Sequence, residues 1–483
     1  MPETIALSLI SHTNVGKTTL ARTLLRQDIG EVRDAQHVTQ DAEKAVLLRS
    51  EEGDELHLWD TPGFGDTQRL VKRLEGRSHA LGWFLSQVWD RFRQRALFLS
   101  QQALLHVQAE ADVVCYLVNA LENPENTPHV EDELRLLRWF KKPVLVLLNQ
   151  SGPQGQALEQ AWAKRLEGNG FAVLSLDAFF RCWIQEATLF EQIESFLDQA
   201  KSEAMQRLRR DWAQERDREL DACCRALGEC MATVASDRVW LSEPKDLQNW
   251  LPSLSSASEN KRGMKELAQR WEDALDQLMK ILLAQHHLEG ESPKAVIQDL
   301  NQAVMQSKKM NVGLSGAVGG LFSGAATGLM ADIAAGGLTF GGGAVLGALF
   351  GALGGAGLAQ GVNHFTQRGR PCLRWESEFL LSTWENCLLR YLAVAHYGRG
   401  RGRFTGAEVV ATWQRSLEVQ LNPMRERVKR ELRDASPNSR TQLVSFFTQQ
   451  ARTILLAVLQ DLHGVELATE KPRGAFAPGK ILN

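Results

Sequence analysis

Apolar residues gather into short runs along the N-terminal part of the chain, separated by polar loops and helix-length segments. The run "TIALSLI" at 4–10 is followed by a loop and then by "TTLARTLLRQ", whose apolar positions recur at helical spacing. A strand–loop–helix unit is therefore predicted. Further apolar runs stand at 44–50 ("KAVLLRS"), 55–60 ("ELHLWD"), 112–120 ("DVVCYLVNA"), 143–150 ("PVLVLLNQ") and 171–178 ("FAVLSLDA"). From 112 on they are nearly all apolar and alternate with helix-length segments, as strands do when helices cover both faces of a parallel sheet. The expected fold class is α/β, a doubly wound domain over 1–190, followed by a mostly α-helical region. Trp83, Phe84, Val88, Trp89, Phe92 and Leu97 give the stretch around 65–110 an amphipathic spacing, which predicts a helical insertion.

Beyond residue 190 the pattern changes. Residues 191–310 are rich in Leu, Ala, Gln, Glu and Arg, and "SFLDQAKSEAMQRLRRDWAQERDRELDACCRAL" has helical period with few breakers. "SEPKDLQNWLPSLSSASENKRG" marks a break. Residues 311–363 form a glycine-rich apolar segment with one formal charge, Asp332. Residues 364–466 return to mixed helical composition, with Trp375, Trp384 and Trp413 expected in cores, and 467–483 read as a loose tail.

Composition narrows the functional classes. The chain has 483 residues, 44% hydrophobic and 23% charged, with a net charge of -3. That balance is globular and lacks the basic excess of a nucleic-acid binder, so no nucleic-acid partner is expected. The seven cysteines include no CxxC pair, which disfavours a zinc site or a disulfide framework and points to reduced thiols in a cytoplasmic protein. "MPETIALSLIS" lacks a basic leader region, so no signal peptide is expected.

The first loop carries the chemistry. "SHTNVGKT", Ser11 to Thr18, reads as the phosphate-binding pattern G-x-x-x-x-G-K-[ST] with serine in place of the first glycine. The amides of Thr13, Asn14, Val15, Gly16, Lys17, Thr18 and Thr19 can wrap a phosphate at the positive end of the following helix. Gly16 allows close approach, Lys17 reaches the β- and γ-phosphates, and the Thr18 hydroxyl can hold Mg²⁺. Serine at the first position removes no phosphate ligand. Downstream, "LHLWDTPGFGD" sets Asp60 at a strand end to hold magnesium through water, with the Gly63 N–H free to meet a γ-phosphate.

With "EVRDAQHVTQDAEKA" lying between these two motifs, the first 190 residues resemble the Era/TrmE-like branch of small P-loop GTPases. Val32, Asp34, Thr39 and Asp41 fall in the frame of that branch's first switch. The resemblance implies GTP and GDP as ligands and Mg²⁺ as cofactor, with Thr18, Thr39 and Asp60 around the metal. It assigns catalysis to Lys17, Thr39 and Gly63. Asn14 matches a loop asparagine that binds K⁺ in potassium-activated members; a plain turn residue is the alternative. Phe64 stands where Ras-like enzymes carry the water-orienting glutamine, so hydrolysis needs a protein partner, a homodimer or a cation. The base-reading motif N-K-x-D is broken: Asn149 matches, Gln150 replaces lysine and Gly152 replaces aspartate. Losing that carboxylate should remove about 1–3 kcal/mol of guanine discrimination. Asp177 lies near the second base loop, where it could compensate or simply cap a turn.

In the glycine-rich segment, Gly316, Gly320, Gly324 and Gly328 recur every four residues, as do Gly343, Gly347, Gly351 and Gly355. That spacing puts each set on one helix face and lets two helices approach closely, a glycine-zipper hairpin. Each arm is near the ~20 residues that span a bilayer. Lys308 and Lys309 precede the pair and Arg368 and Arg370 follow it, which places both ends in the cytoplasm. Lipid contact through 312–362 is expected, against the alternative of a packed soluble hairpin. The whole resembles a bacterial family of GTPases with an uncharacterised C-terminal domain. It implies a nucleotide-controlled switch at the inner membrane; the rival is a degenerate nucleotide-binding scaffold.

Overall fold

The computed structural model describes residues 2–26, 43–64, 71, 95–139, 141–149, 156–178, 181–241, 254–288, 364–365, 371–397 and 407–463. Thr39, Gln150, Gly152, most of the 65–94 stretch, the glycine-rich segment 311–363 and the tail 467–483 lie outside the described residues.

The N-terminal part is the expected α/β unit. In order it runs β1 (Thr4–Ser11), α1 (Lys17–Leu25), β2 (Glu43–Arg49), β3 (Glu55–Asp60), α2 (Arg95–Ala109), β4 (Val113–Asn119), α3 (Pro128–Arg138), β5 (Val144–Asn149), α4 (Gln156–Gly168), β6 (Ala172–Ser175) and α5 (Trp183–Ser195). The sheet order is β2-β3-β1-β4-β5-β6; only β2 is antiparallel to its neighbour. Alternation along each strand feeds two cores. Val113, Cys115 and Leu117 face α1 and α5 with Leu7, Leu9, Leu56 and Leu145. Val114, Tyr116 and Val118 face α2, α3 and α4 with Ile10, Val146 and Leu148. Both faces are dry, which is why the sequence from 112 onward shows almost no polar strand positions.

A long helix, α6 (Gln199–Ser236), follows after a cap in which the Asp198 side chain accepts from the Lys201 N–H at 3.0 Å. Then come β7 (Val239–Trp240), α7 (Leu254–Gln285), β8 (His364–Phe365), β9 (Pro371–Leu373), α8 (Ser377–Ala395), α9 (Ala407–Leu421), α10 (Arg425–Asp434) and α11 (Arg440–His463). The three short strands form a sheet of order β7-β9-β8, which the composition of this region did not predict. The break read over "SEPKDLQNWLPSLSSASENKRG" is also shorter than expected, because α7 already starts at Leu254. Trp375, Trp384 and Trp413 are buried, as expected.

At 38 residues α6 runs roughly 57 Å, and it belongs to both halves. Ala204, Met205, Leu208 and Trp212 join the core beneath the sheet, and Trp212 meets Phe190 edge to face. Leu220, Cys223, Cys224, Leu227 and Met231 join the core built with α7, α8, α9 and α11.

Ion pairs pin the same helix to the sheet unit. Arg207 holds the buried Asp54 through two bonds of 2.7 and 2.9 Å, Lys201 meets Asp112 at 2.5 Å, and Arg210 meets Glu52 at 2.9 Å. The Arg207 guanidinium, with the Glu3 N–H and Ser50 hydroxyl, holds the Asp54 carboxyl well below its usual range. Arg26, in the left-handed conformation that ends α1, makes a two-pronged bond to Glu219 at 2.7 and 3.1 Å. Both side chains are nearly buried, so little water screens this pair.

Candidate functional site

The loop between β1 and α1 turns tightly. Asn14 has φ 65° and Gly16 has φ 96°, so two residues of the loop adopt the left-handed conformation. Gly16 is the N-cap of α1, and no side chain caps that end, which leaves its amides for a ligand. The turn role of Asn14 is thus visible.

Lys17 is buried beneath this loop. Burial pushes its ammonium below the ordinary lysine range, while the carboxylates of Asp60 and Glu133 oppose the shift. Its Nζ donates to Ser11 Oγ at 3.1 Å, and Ser11 Oγ in turn donates to the His12 carbonyl. The serine that replaces the first glycine is therefore the lysine's hydroxyl partner, a role that the pattern alone did not reveal.

The end of β3 closes the site. The Thr61 hydroxyl donates to the Leu9 carbonyl at 2.6 Å and the Phe64 N–H to the Ser11 carbonyl at 2.9 Å. Gly63 packs so close that an added Cβ would lie 3.1 Å from Lys17 Nζ and from Thr13 Cα. The Thr18 hydroxyl donates to Asp60 Oδ2 at 2.5 Å. A hydroxyl and a carboxylate side by side are the hard oxygen donors that suit Mg²⁺. Among the described residues no cluster of three or more His, Cys, Asp or Glu could hold a metal by itself.

Asn149, at the end of β5, braces the loop. Fully buried, its Nδ2 donates to the Val15 carbonyl at 2.7 Å and its Oδ1 accepts from the Ala178 N–H at 2.8 Å. The Thr23 hydroxyl donates to the Ala178 carbonyl at 2.7 Å. Asn149 thus ties the phosphate loop to the loop after β6, where Asp177 sits half-buried beside Ala178. The structure brings together Thr13–Thr19, Asp60, Gly63, Asn149 and Asp177; Thr39 and Gln150 fall outside the described residues.

Sequence reasoning missed a buried group behind the loop. His12 Nδ1 donates to Glu133 Oε1 at 2.7 Å, and the Tyr116 hydroxyl donates to Glu133 Oε2 at 2.8 Å. Glu133 lies 121 positions from His12 on α3, and no local pattern links them.

This sheet order, loop and closing segment define a P-loop GTPase domain, and residues 7–150 match the family model described as 50S ribosome-binding GTPase. Residues 169–460, more than half of the chain, match the model described as Domain of unknown function (DUF3482), and the chain belongs to that family. No curated protein matches the chain. Among solved structures, Era in complex with MgGDPNP and a 16S ribosomal RNA fragment is 18% identical, with TM-score 0.27, over 37% of this chain and 52% of that one. The chain thus spans about half the length of that protein. An Aquifex aeolicus Era variant bound to GDP and AlF4⁻ is 17% identical, with TM-score 0.29, over 57% of this chain and 90% of that one. The bacterial selenocysteine-specific elongation factor EF-Sec is 18% identical, with TM-score 0.24, over 36% of this chain and 25% of that one. The chain thus carries an N-terminal P-loop GTPase domain followed by a helical C-terminal domain.

Proposed function

We propose that the protein is a slow GTP hydrolase that works as a nucleotide-controlled switch and passes its state to the helical domain through α6. The observation that carries this reading is the double membership of α6. Its first turns lie in the core under the sheet, and its Arg207 and Arg210 grip the turn between β2 and β3. Its Glu219 holds Arg26 at the end of the phosphate-loop helix, and the rest of it is the spine of the helical core. Any shift of the loop, of α1 or of β2–β3 between nucleotide states must move α6 or break these bonds.

In this reading the Thr13–Thr19 amides and Lys17 hold the phosphates, the Gly63 N–H meets the γ-phosphate, and Asn149, Gln150 and Asp177 line the base side. Thr18, Thr39 and Asp60 would hold Mg²⁺, which when bound neutralises phosphate charge. Phe64 is fully buried and cannot orient water. The activating group must come from elsewhere: K⁺ at Asn14, a second copy of the chain, or a protein partner.

The membrane part of the proposal rests on the glycine ladders and basic flanks of 312–362. No described helix is long and apolar enough to cross a membrane, and the ladders lie outside the described residues. From the basic flanks we assign it to the cytoplasmic side of the inner membrane, and from its balanced charge we expect no nucleic-acid partner.

Phosphate release from GTP, measured in K⁺ and in Na⁺ with and without anionic lipid vesicles, tests the proposal. Turnover should be slow in Na⁺ alone and rise about tenfold or more in K⁺ or with vesicles. Turnover no faster than that of Lys17→Ala under every condition would leave the rival, a nucleotide-binding scaffold.

A further inference from the structure

The cluster behind the phosphate loop has a geometry that the proposed reaction does not yet use. His12 is the second residue of the loop, and its backbone forms a parallel bridge with Phe64. Phe64 follows Gly63 directly and is fully buried among α2 and α3 residues. The His12 imidazole meets Glu133, also on α3, at 2.7 Å. Glu133 is completely buried, and a carboxylate in that position must keep its donors. Its other oxygen is held by Tyr116, whose hydroxyl burial and the Glu133 carboxylate push to a pKa well above the ordinary range. The half-buried His129 ring stands 4.4 Å from that of His12. Loop, closing segment and α3 are thus joined at one residue.

We infer that His12 is a positioning residue which, anchored on Glu133, sets the preference of the site for nucleoside triphosphate over diphosphate. The inference rests on the nucleotide-switch reading above. Its logic follows from which groups each nucleotide needs. A diphosphate is held by Lys17 and the loop amides, which sit on β1 and α1. A triphosphate adds a third phosphate, which meets the Gly63 N–H. Gly63 lies against Thr13 and Lys17 where the segment after β3 is bridged to the loop through His12 and Phe64. With the imidazole removed, the loop loses this tie to α3, and Glu133 loses a donor. The cost falls on the γ-phosphate contact first.

The test uses the full chain, with GDP and the non-hydrolysable triphosphate GDPNP as probes at fixed Mg²⁺. His12→Ala should weaken GDPNP about tenfold or more while GDP changes by less than about threefold. His12→Asn places an amide N–H near the position of Nδ1 and should recover most of the loss. Glu133→Leu should show the same selective loss, and the double variant His12→Ala/Glu133→Leu should be no worse than either single change, because the two act as one unit. Lys17→Ala serves as the control for the reading itself, since it should lose both nucleotides. An unchanged GDPNP/GDP ratio in His12→Ala overturns the inference while leaving the reading intact. Equal loss of both nucleotides does the same, since that is what a merely structural role gives. Failure of His12→Asn to rescue also overturns it. Wild-type protein that binds neither probe overturns the reading and the inference together.

Discussion

Lys17→Ala is expected to weaken GTP and GDP roughly a hundredfold or more, about 3 kcal/mol, the scale of a charge-assisted hydrogen bond lost from a desolvated site. Lys17 is only 8% exposed, so water cannot replace its ammonium at the phosphates. The fold should survive. The charge of Lys17 is held against its own desolvation, and its hydrogen-bond partner is the Ser11 hydroxyl, a neutral group. The melting temperature without nucleotide should therefore move by only a few degrees, while the rise in melting temperature on adding GDP disappears. Ser11→Gly is the instructive companion: it removes that partner but no phosphate ligand, and should leave affinity within about threefold. Fluorescence titration with labelled GDP, paired with thermal melts, checks both.

Gly228→Ala is expected to destabilise the helical domain by about 3 kcal/mol, lowering its melting temperature by roughly 5–10 °C. Gly228 lies where α6 passes α11. A Cβ there would sit 2.8 Å from the Val444 carbonyl oxygen and 2.9 Å from the Thr448 amide nitrogen, and would also strike the Thr448 hydroxyl. Two of these obstacles are backbone, which cannot swing aside, so α11 must be pushed off α6. The surrounding contacts resist: Arg452 of α11 pairs with Asp217 and Asp221 of α6, and Phe447, Ala451 and Leu455 are buried in the shared core. Gly168→Ala is the control. Nothing lies within 4 Å of a Cβ at that position, near the end of α4, so the change should be neutral or slightly stabilising. Circular-dichroism melts of the three proteins decide the comparison.

Much of the sheet was legible because its strands are buried on both faces and so appear as apolar runs. Residues 4–10, 44–50, 55–60, 112–120, 143–150 and 171–178 all mark strands; the run 55–60 coincides with its strand, and each of the others has at least one end shifted by a residue or more. The phosphate loop was equally legible, since its residues are local in sequence and their spacing is dictated by the phosphate. Three features were hidden for different reasons. Strands β7, β8 and β9 are two or three residues long, too short for any period to register. The sharing of α6 between two cores leaves only a helical pattern; Trp212 and Leu227 look alike in sequence although they serve different halves. The pairing of His12 with Glu133, like that of Lys17 with Ser11, depends on which side chains tertiary packing brings together. A lone histidine inside a phosphate loop carries no mark of the helix it will face.

The most direct measurement on the nucleotide site is an equilibrium titration of the full chain with GDP, ADP and XDP in the presence of Mg²⁺. The loop retains Lys17, Gly16 and Thr18, and Asn149 braces it to the loop after β6, so GDP should bind and ADP should bind more weakly. Because Gly152 brings no carboxylate to the base, the margin of GDP over XDP should be small, about tenfold or less rather than the larger margin a paired aspartate gives. Binding of GDP that Lys17→Ala abolishes would establish a guanine-nucleotide site built around Ser11. No binding of any of the three, or tighter binding of ADP than of GDP, would contradict it.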